Sequence, residues 1–159
     1  MKKILLLLLL PMAMLSSSCL KSNNNVVPFD AAKQAATDET TIQAYLAAHT
    51  EIHAVKDTTG VYYQIITQGT GATPALTSTI SAAYTGKLTN GTIFDSSTNL
   101  VYKLNGLIPA WQIALPYLKT GGQMLIITPS RYAYGNAQAG IIPANSVLIF
   151  SVNLTAVAN

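Results

Sequence analysis

The sequence predicts an α+β fold built on a half-buried antiparallel sheet. From Gly60 onward, apolar and polar residues alternate with a period of two, which is typical of strands that bury one face. One short helical segment interrupts these strands, and a separate helical segment precedes them. The chain has 159 residues, of which 50% are hydrophobic and 9% charged, so it can bury the core of one domain and carry an appendage.

Residues 1–18 have the features of a secretory signal peptide. A basic start is followed by an apolar run over 4–10, too short to span a bilayer, and by small residues before Cys19. The serines before Cys19, the only cysteine, resemble a bacterial lipobox, although Ser16 stands where a leucine is usual. We expect residues 1–18 to be removed and Cys19 to carry lipid, with residues 19–29 as a flexible tether.

This processing predicts a bacterial envelope lipoprotein, lipid-anchored to a membrane. Two or more acyl chains anchor a protein stably, at about 0.8 kcal/mol for each buried CH₂. We expect the folded part to face the periplasm, with exposure at the cell surface as the alternative. Without Lys2 and Lys3, seven basic and six acidic residues remain and no basic cluster is left. We therefore expect no nucleic-acid partner.

Residues 30–59 are predicted to form a helical extension. The segment 30–49 is rich in alanine, and its apolar side chains recur at helical spacing at Ile42, Tyr45, Leu46 and His49. His49 and His53 lie four residues apart, but too few further ligands are near them to complete a metal site. We therefore expect surface or packing roles for both, and no metal.

Residues 60–159 are predicted to form the main domain. Its strand candidates are VYYQIIT, TISAAYTGKL, TIFDSS, LVYKL, GQMLIIT and SVLIFSVNLTAV, with a tight turn at Asn90-Gly91. The short helix lies within PAWQIALPYLKTGG and begins at Pro109. Pro116 lies inside that segment and lacks an N–H, so we expect the helix to kink or to end early.

The loop from Gly135 to Asn145 carries two bulky apolar residues, Ile141 and Ile142. Two interpretations remain open from the residues alone. The pair could fold back into the core. It could instead wall an apolar pocket for a ligand.

Four strings, YTGKLTNGTIFDSS, LIPAW, YAYG and GIIPANSVLIF, occur in the order and near the spacing typical of one family. Over residues 60–159 the chain resembles the FKBP family of peptidyl-prolyl cis-trans isomerases. The resemblance implies a twisted antiparallel sheet wrapped around one short helix, with a pocket between them. It also implies an enzyme that isomerises Xaa-Pro bonds in polypeptides, here those of envelope proteins, with FKBP-type macrolides as further ligands and no cofactor.

The resemblance assigns roles to individual residues. It implies a catalytic group of Tyr84, Asp95 and Tyr134, in which Asp95 orients Tyr84 and the Tyr134 hydroxyl holds a substrate carbonyl, as does the backbone N–H of Ile108. The implied substrate-binding residues are Phe94, Leu107, Ile108, Trp111, Ile141, Ile142 and Phe150. Leu100 stands where the family has an aromatic pocket residue.

These residue types suit the chemistry. An Xaa-Pro bond isomerises over a barrier of about 18–20 kcal/mol that is largely amide resonance, so no bond need be made or broken. An apolar pocket removes the water that solvates the planar amide best. A non-catalytic proline-peptide binding module or chaperone on the same fold is the first alternative. A structural lipoprotein that dimerises through Ile42, Tyr45 and Leu46 is the second.

Overall fold

The computed structural model describes residues 29–158. Cys19, the predicted signal peptide and nearly all of the predicted tether lie outside the described residues. Three short 3₁₀ turns, over 104–106, 115–117 and 130–132, accompany the main elements. The helices and strands are α1 (Ala31–Ala48), β1 (Val55–Lys56), β2 (Tyr62–Thr67), β3 (Thr79–Leu88), β4 (Ile93–Lys103), α2 (Pro109–Ala114), β5 (Gln123–Thr128) and β6 (Leu148–Ala158).

The six strands form one antiparallel sheet in the order β1-β2-β5-β6-β3-β4. With a helix on each face, this architecture confirms the predicted α+β class. The strand β1 lies within the segment predicted to be helical, so residues 30–59 also contribute an edge strand. The TIFDSS and LVYKL segments are parts of one strand, β4, whose register with β3 shifts twice. Such shifts bend a strand and accommodate the irregular residues between the two segments.

The two faces of the sheet bury two different clusters. One face packs against α2 and includes Trp111, Ile126, Phe150 and Val152. Because side chains alternate along a strand, Ile149 points to the opposite face, beneath α1. The cavity described below lies on the α2 side of the sheet.

The helix α1 is capped at its start and buried along one stripe. The Asp30 carboxylate accepts the backbone N–H of Lys33 at 2.9 Å, as an N-cap residue does. Ile42 is fully buried against the sheet, with Tyr45 and Leu46 packed beside it. The stripe that could have served as a dimer face is therefore occupied by the chain's own sheet.

The helix α2 has only six residues. It begins at Pro109, whose missing N–H is not needed at a first helical position, and it ends at Ala114. Pro116 follows in a 3₁₀ turn, so the predicted early end is confirmed. The physical reason is that proline cannot donate the hydrogen bond that would extend the helix. Within residues 29–158, no helix is both long enough and apolar enough to cross a membrane.

Candidate active site

A cavity of about 200 Å³ opens between α2 and the sheet. Its wall combines aromatic, aliphatic and polar side chains. They are Tyr84, Asp95, Leu100, Leu107, Ile108, Trp111, Tyr134 and Phe150. A cavity of this size and lining suits a small apolar group that is oriented by a few polar contacts.

Trp111 of α2 forms the floor of the cavity and is only 3% exposed. Its ring meets Tyr84 edge-on, with centroids 5.2 Å apart, and meets Phe150 edge-on at 5.7 Å. Both geometries are favourable for aromatic pairs. The indole Nε1 is buried and has no hydrogen-bond partner among the described residues. The floor therefore presents a fixed aromatic surface with one unused donor.

Tyr84 and Asp95 form the polar pair of the cavity. They lie on the paired strands β3 and β4, and the Tyr84 hydroxyl donates a hydrogen bond to Asp95 Oδ2 at 2.5 Å. Burial raises the pKa of Tyr84 well above its usual range, and the Asp95 carboxylate raises it further. Burial acts in this direction because a phenolate loses more solvation than a neutral phenol. Tyr84 is therefore a neutral donor whose proton points at Asp95.

Tyr134 and Ile108 both line the cavity. Tyr134 lies just after the 3₁₀ turn that follows β5, and its side chain is 42% exposed. Ile108 is the N-cap residue of α2, and its carbonyl accepts the N–H of Trp111 at 3.0 Å. The site thus has a polar rim around an apolar floor.

Seven of the ten predicted catalytic and substrate-binding residues line this cavity. Phe94 lies behind the wall, where its ring meets Phe150 edge-on at 5.6 Å. Ile142 is 5% exposed and belongs to the core, whereas Ile141 is 62% exposed. Neither isoleucine is among the residues that line the cavity, and Ile142 packs with the core. A substrate-binding role for the pair stays a prediction.

Leu100 lines the wall at the place where an aromatic residue was expected. Gly86 was not predicted as a site residue, yet a Cβ there would lie 2.5 Å from Phe94 Cζ and 3.0 Å from Phe150 Cε1. A glycine inside a strand is the sequence signal for such a close approach. Gly86 therefore leaves the room in which the two phenylalanine rings pack.

A second, open groove of about 580 Å³ is larger but chemically different. Hydroxyl and amide side chains dominate its lining, namely Thr85, Ser96, Ser97, Thr98, Ser151 and Asn153. It shares Tyr84 with the smaller cavity, but Trp111 and Phe150 do not line it. Among residues 29–158, no group of three or more His, Cys, Asp or Glu residues could hold a metal ion. The smaller apolar cavity is the candidate active site.

Residues 71–155 match the family model described as FKBP-type peptidyl-prolyl cis-trans isomerase. The chain is 39% identical over 139 residues to "FKBP-type peptidyl-prolyl cis-trans isomerase FkpA" of Aeromonas hydrophila, covering 84% of this chain and 52% of that protein. It is 36% identical over 103 residues to "Outer membrane protein MIP" of Legionella longbeachae, covering 62% of this chain and 44% of that protein. The chain thus spans about half the length of the curated relatives it matches.

The fold of this chain is similar to those of two solved structures. FkpA from Escherichia coli gives a TM-score of 0.70 at 33% identity, covering 80% of this chain and 62% of that one. A peptidyl-prolyl cis-trans isomerase from Pseudomonas syringae gives a TM-score of 0.71 at 28% identity, covering 83% of this chain and 98% of that one. At least four fifths of this chain therefore has a counterpart in each of the two solved structures.

Proposed function

Because the chain belongs to the FKBP-type peptidyl-prolyl cis-trans isomerase family, we propose that it catalyses cis-trans isomerisation of Xaa-Pro bonds. One observation carries this proposal. An apolar cavity floored by Trp111 also holds the hydrogen-bonded pair of Tyr84 and Asp95, together with the hydroxyl-bearing Tyr134. A binding module would need the apolar floor alone, whereas a catalyst also needs polar groups that favour the twisted amide.

The apolar floor supplies the first part of the mechanism. The pyrrolidine ring of the substrate lies on Trp111 and is flanked by Phe150, which removes water from the Xaa-Pro amide. Water solvates the planar, charge-separated amide better than the twisted one, in which the carbonyl is less polarised. Desolvation therefore lowers the barrier, and each tenfold acceleration requires about 1.4 kcal/mol of differential stabilisation.

The polar rim supplies the second part. The Tyr134 hydroxyl and the Ile108 backbone N–H donate to substrate carbonyls and hold the chain on both sides of the rotating bond. Tyr84 stays protonated, because burial and Asp95 raise its pKa, so it keeps Asp95 in one orientation. The carboxylate then faces the cavity as a fixed negative charge. These groups orient the substrate without any covalent step.

The substrates are proline-containing polypeptides that fold in the bacterial envelope. The segment before Cys19 supports secretion, and one relative carries the name "Outer membrane protein MIP". We place the protein on a membrane through a lipid on Cys19, with the isomerase domain facing the periplasm. Incorporation of a labelled fatty acid into the full chain, and its loss in Cys19→Ala, tests the anchor. Incorporation that persists in Cys19→Ala contradicts it.

The proposed activity is tested by the cis-to-trans rate of a short Xaa-Pro peptide. We expect the purified protein to accelerate isomerisation in proportion to its concentration. Asp95→Ala and Tyr134→Phe should each lower kcat/KM by about tenfold, the effect of losing about 1.4 kcal/mol in the transition state. An FKBP-type macrolide should compete with the peptide for the cavity.

Tyr117→Phe is the matched control, because the Tyr117 hydroxyl donates to Asp57 at 2.9 Å and does not line the cavity. It should leave kcat/KM unchanged. A folded, monomeric protein that gives no acceleration contradicts the proposal and favours the binding module.

A further inference from the structure

The extension helix α1 carries a buried carboxylate that reaches the segment bearing Tyr134. Among the described residues, Asp38 is the one charged side chain that is buried, with 2% exposure. A buried carboxylate is stable only when donors compensate for its lost hydration. Asp38 Oδ2 accepts the backbone N–H of Ser130 at 2.8 Å and the Ser130 hydroxyl at 2.7 Å. Its Oδ1 accepts Gln34 Nε2 at 2.7 Å.

Ser130 passes this constraint on to both neighbours of Tyr134. Its carbonyl accepts the backbone N–H of Ala133 at 2.9 Å and that of Gly135 at 2.8 Å. The Gly135 carbonyl in turn accepts the N–H of Asn145 at 2.8 Å, which closes the loop. The residues on either side of Tyr134 are therefore both hydrogen-bonded to the Ser130 carbonyl. The N–H and hydroxyl of Ser130 are in turn hydrogen-bonded to Asp38.

We propose that Asp38 is a positioning residue for the isomerase site, acting through Ser130 on Tyr134. This inference rests on the proposed function, in which the Tyr134 hydroxyl holds a substrate carbonyl. The extension helix then forms part of the catalytic unit rather than a spacer beside it. The buried pair of Asp38 and Ser130 joins positions 92 apart in the chain and restricts the orientations open to Tyr134.

The helix α1 also contacts the sheet through residues other than Asp38. The effect of Asp38 on Tyr134 can therefore be tested separately from the packing of α1 on the sheet. Ile42 is buried against Tyr62, and Glu39 accepts the Tyr62 hydroxyl at 2.6 Å. Neither contact touches Ser130. Glu39→Gln therefore weakens a neighbouring contact of the same helix and leaves the path to Tyr134 intact.

Three variants at the two positions make the test specific. Asp38→Ala keeps helix propensity but removes the acceptor and leaves the buried Ser130 N–H without a partner. Asp38→Asn keeps one carbonyl oxygen for Ser130, and Gln34 can turn its amide to face the new NH₂ group. Asp38→Asn is therefore the rescue variant, and Glu39→Gln is the control.

Peptide isomerisation is measured for the full chain, with each variant also placed in the Tyr134→Phe background. We expect Asp38→Ala to lower kcat/KM by about threefold to thirtyfold, mainly through KM, the range of coupling between packed sites. Asp38→Asn should recover most of the activity. In the Tyr134→Phe background, Asp38→Ala should cause no further loss, because residues that act as a unit are not additive. The proposal is overturned if the losses in kcat/KM from Asp38→Ala and Tyr134→Phe multiply in the double variant. It is also overturned if Glu39→Gln lowers kcat/KM as much as Asp38→Ala does.

Amide hydrogen exchange gives a second readout that does not depend on catalysis. We expect the N–H groups of Ala133 and Gly135 to exchange about tenfold faster in Asp38→Ala, because local opening becomes easier. Exchange at both should stay unchanged in Glu39→Gln. If the wild-type protein proves inactive, the proposed function fails. The exchange measurement still tests whether Asp38 acts through Ser130 on the residues beside Tyr134. Unchanged exchange in Asp38→Ala overturns it.

Discussion

The ring of Phe150 meets Trp111 edge-on, with centroids 5.7 Å apart and an interplanar angle of 87°. On its other side Phe150 meets Phe94 at 5.6 Å and 85°. This row of rings joins α2 to the strands β6 and β4, and Gly86 borders it. The cavity floor therefore depends on aromatic packing that begins outside the cavity, at Phe94, which does not line it.

Gly86→Ala is expected to disturb this row. A Cβ at Gly86 would lie 2.5 Å from Phe94 Cζ, so the ring must move. Overpacking of this kind costs about 1–3 kcal/mol of unfolding free energy, and a displaced Phe150 should also lower kcat/KM. Denaturant unfolding and the peptide assay measure the two effects.

Gly106→Ala is the control for this prediction. Its Cβ would lie 2.6 Å from Tyr102 Cε1, but the Tyr102 side chain is 52% exposed and can rotate away. We expect a smaller loss of stability and no change in kcat/KM. Equal losses of stability and of kcat/KM in Gly86→Ala and Gly106→Ala would contradict the role of Gly86 in leaving room for the aromatic row.

Tyr84 and Asp95 should act as one unit. Tyr84→Phe removes the donor of their 2.5 Å hydrogen bond, and Asp95→Asn removes the charge that the donor faces. We expect each variant to lower kcat/KM and the double variant to lose little more than either. The coupling free energy should be about 0.5–3 kcal/mol, as for residues in direct contact. Strictly additive losses would contradict a joint role.

The contact between α1 and β2 should weaken in acid. The Tyr62 hydroxyl, which donates to Glu39 at 2.6 Å, holds the pKa of Glu39 below its ordinary value, and Lys56 adds to this. A lowered folded-state pKa means that the stabilisation is present above the unfolded pKa of about 4.3. It is lost as the pH falls through the folded-state value.

The Glu39 effect is measured by denaturant unfolding of the wild type and Glu39→Gln at several pH values. The Glu39 side chain is 38% exposed, so its stabilisation by Lys56 and Tyr62 should stay below about 1 kcal/mol. We expect the wild type to be more stable at pH 7 and the difference to shrink as the pH falls below the unfolded pKa of about 4.3. If the stability advantage of the wild type over Glu39→Gln grows as the pH falls, the pKa of Glu39 is raised by folding and the prediction is wrong.

Pro116→Ala should cost stability but not activity. Pro116 lies after the end of α2, and the N–H of Leu118 still bonds to the Leu115 carbonyl at 2.9 Å. Alanine restores freedom to the unfolded chain, which destabilises the fold by about 0.4–1 kcal/mol. Trp111 precedes the break and should keep its place, so kcat/KM should change by less than about twofold. A large change in kcat/KM would show that the break positions Trp111.

Local patterns were sufficient to predict most of the fold. The period of the apolar residues predicted α1, the core strands and the inward face of β6, where Leu148, Phe150, Val152 and Leu154 are all buried. The lack of an N–H at Pro116 predicted the short α2. The two-residue strand β1 escaped prediction because so short a segment carries no period.

Features set by distant pairing could not be predicted from the sequence. Asp38 is a plain polar residue within a helix, and only the fold brings it to Ser130 across 92 positions. Ile141 and Ile142 carry the same composition signal, yet the backbone exposes one and buries the other. The family resemblance predicted the cavity residues as a group. Each aromatic residue taken alone could equally well have been a core residue.

The most direct test follows peptide exchange and the single tryptophan in one NMR experiment. The chain has one Trp, so its indole N–H gives one signal, and Trp111 forms the floor of the cavity. We expect an Xaa-Pro peptide to show cis-trans exchange cross-peaks while the Trp111 indole signal shifts with saturation. Exchange without a shift would place the catalysis elsewhere. A folded protein that produces a shift without exchange would contradict the isomerase itself.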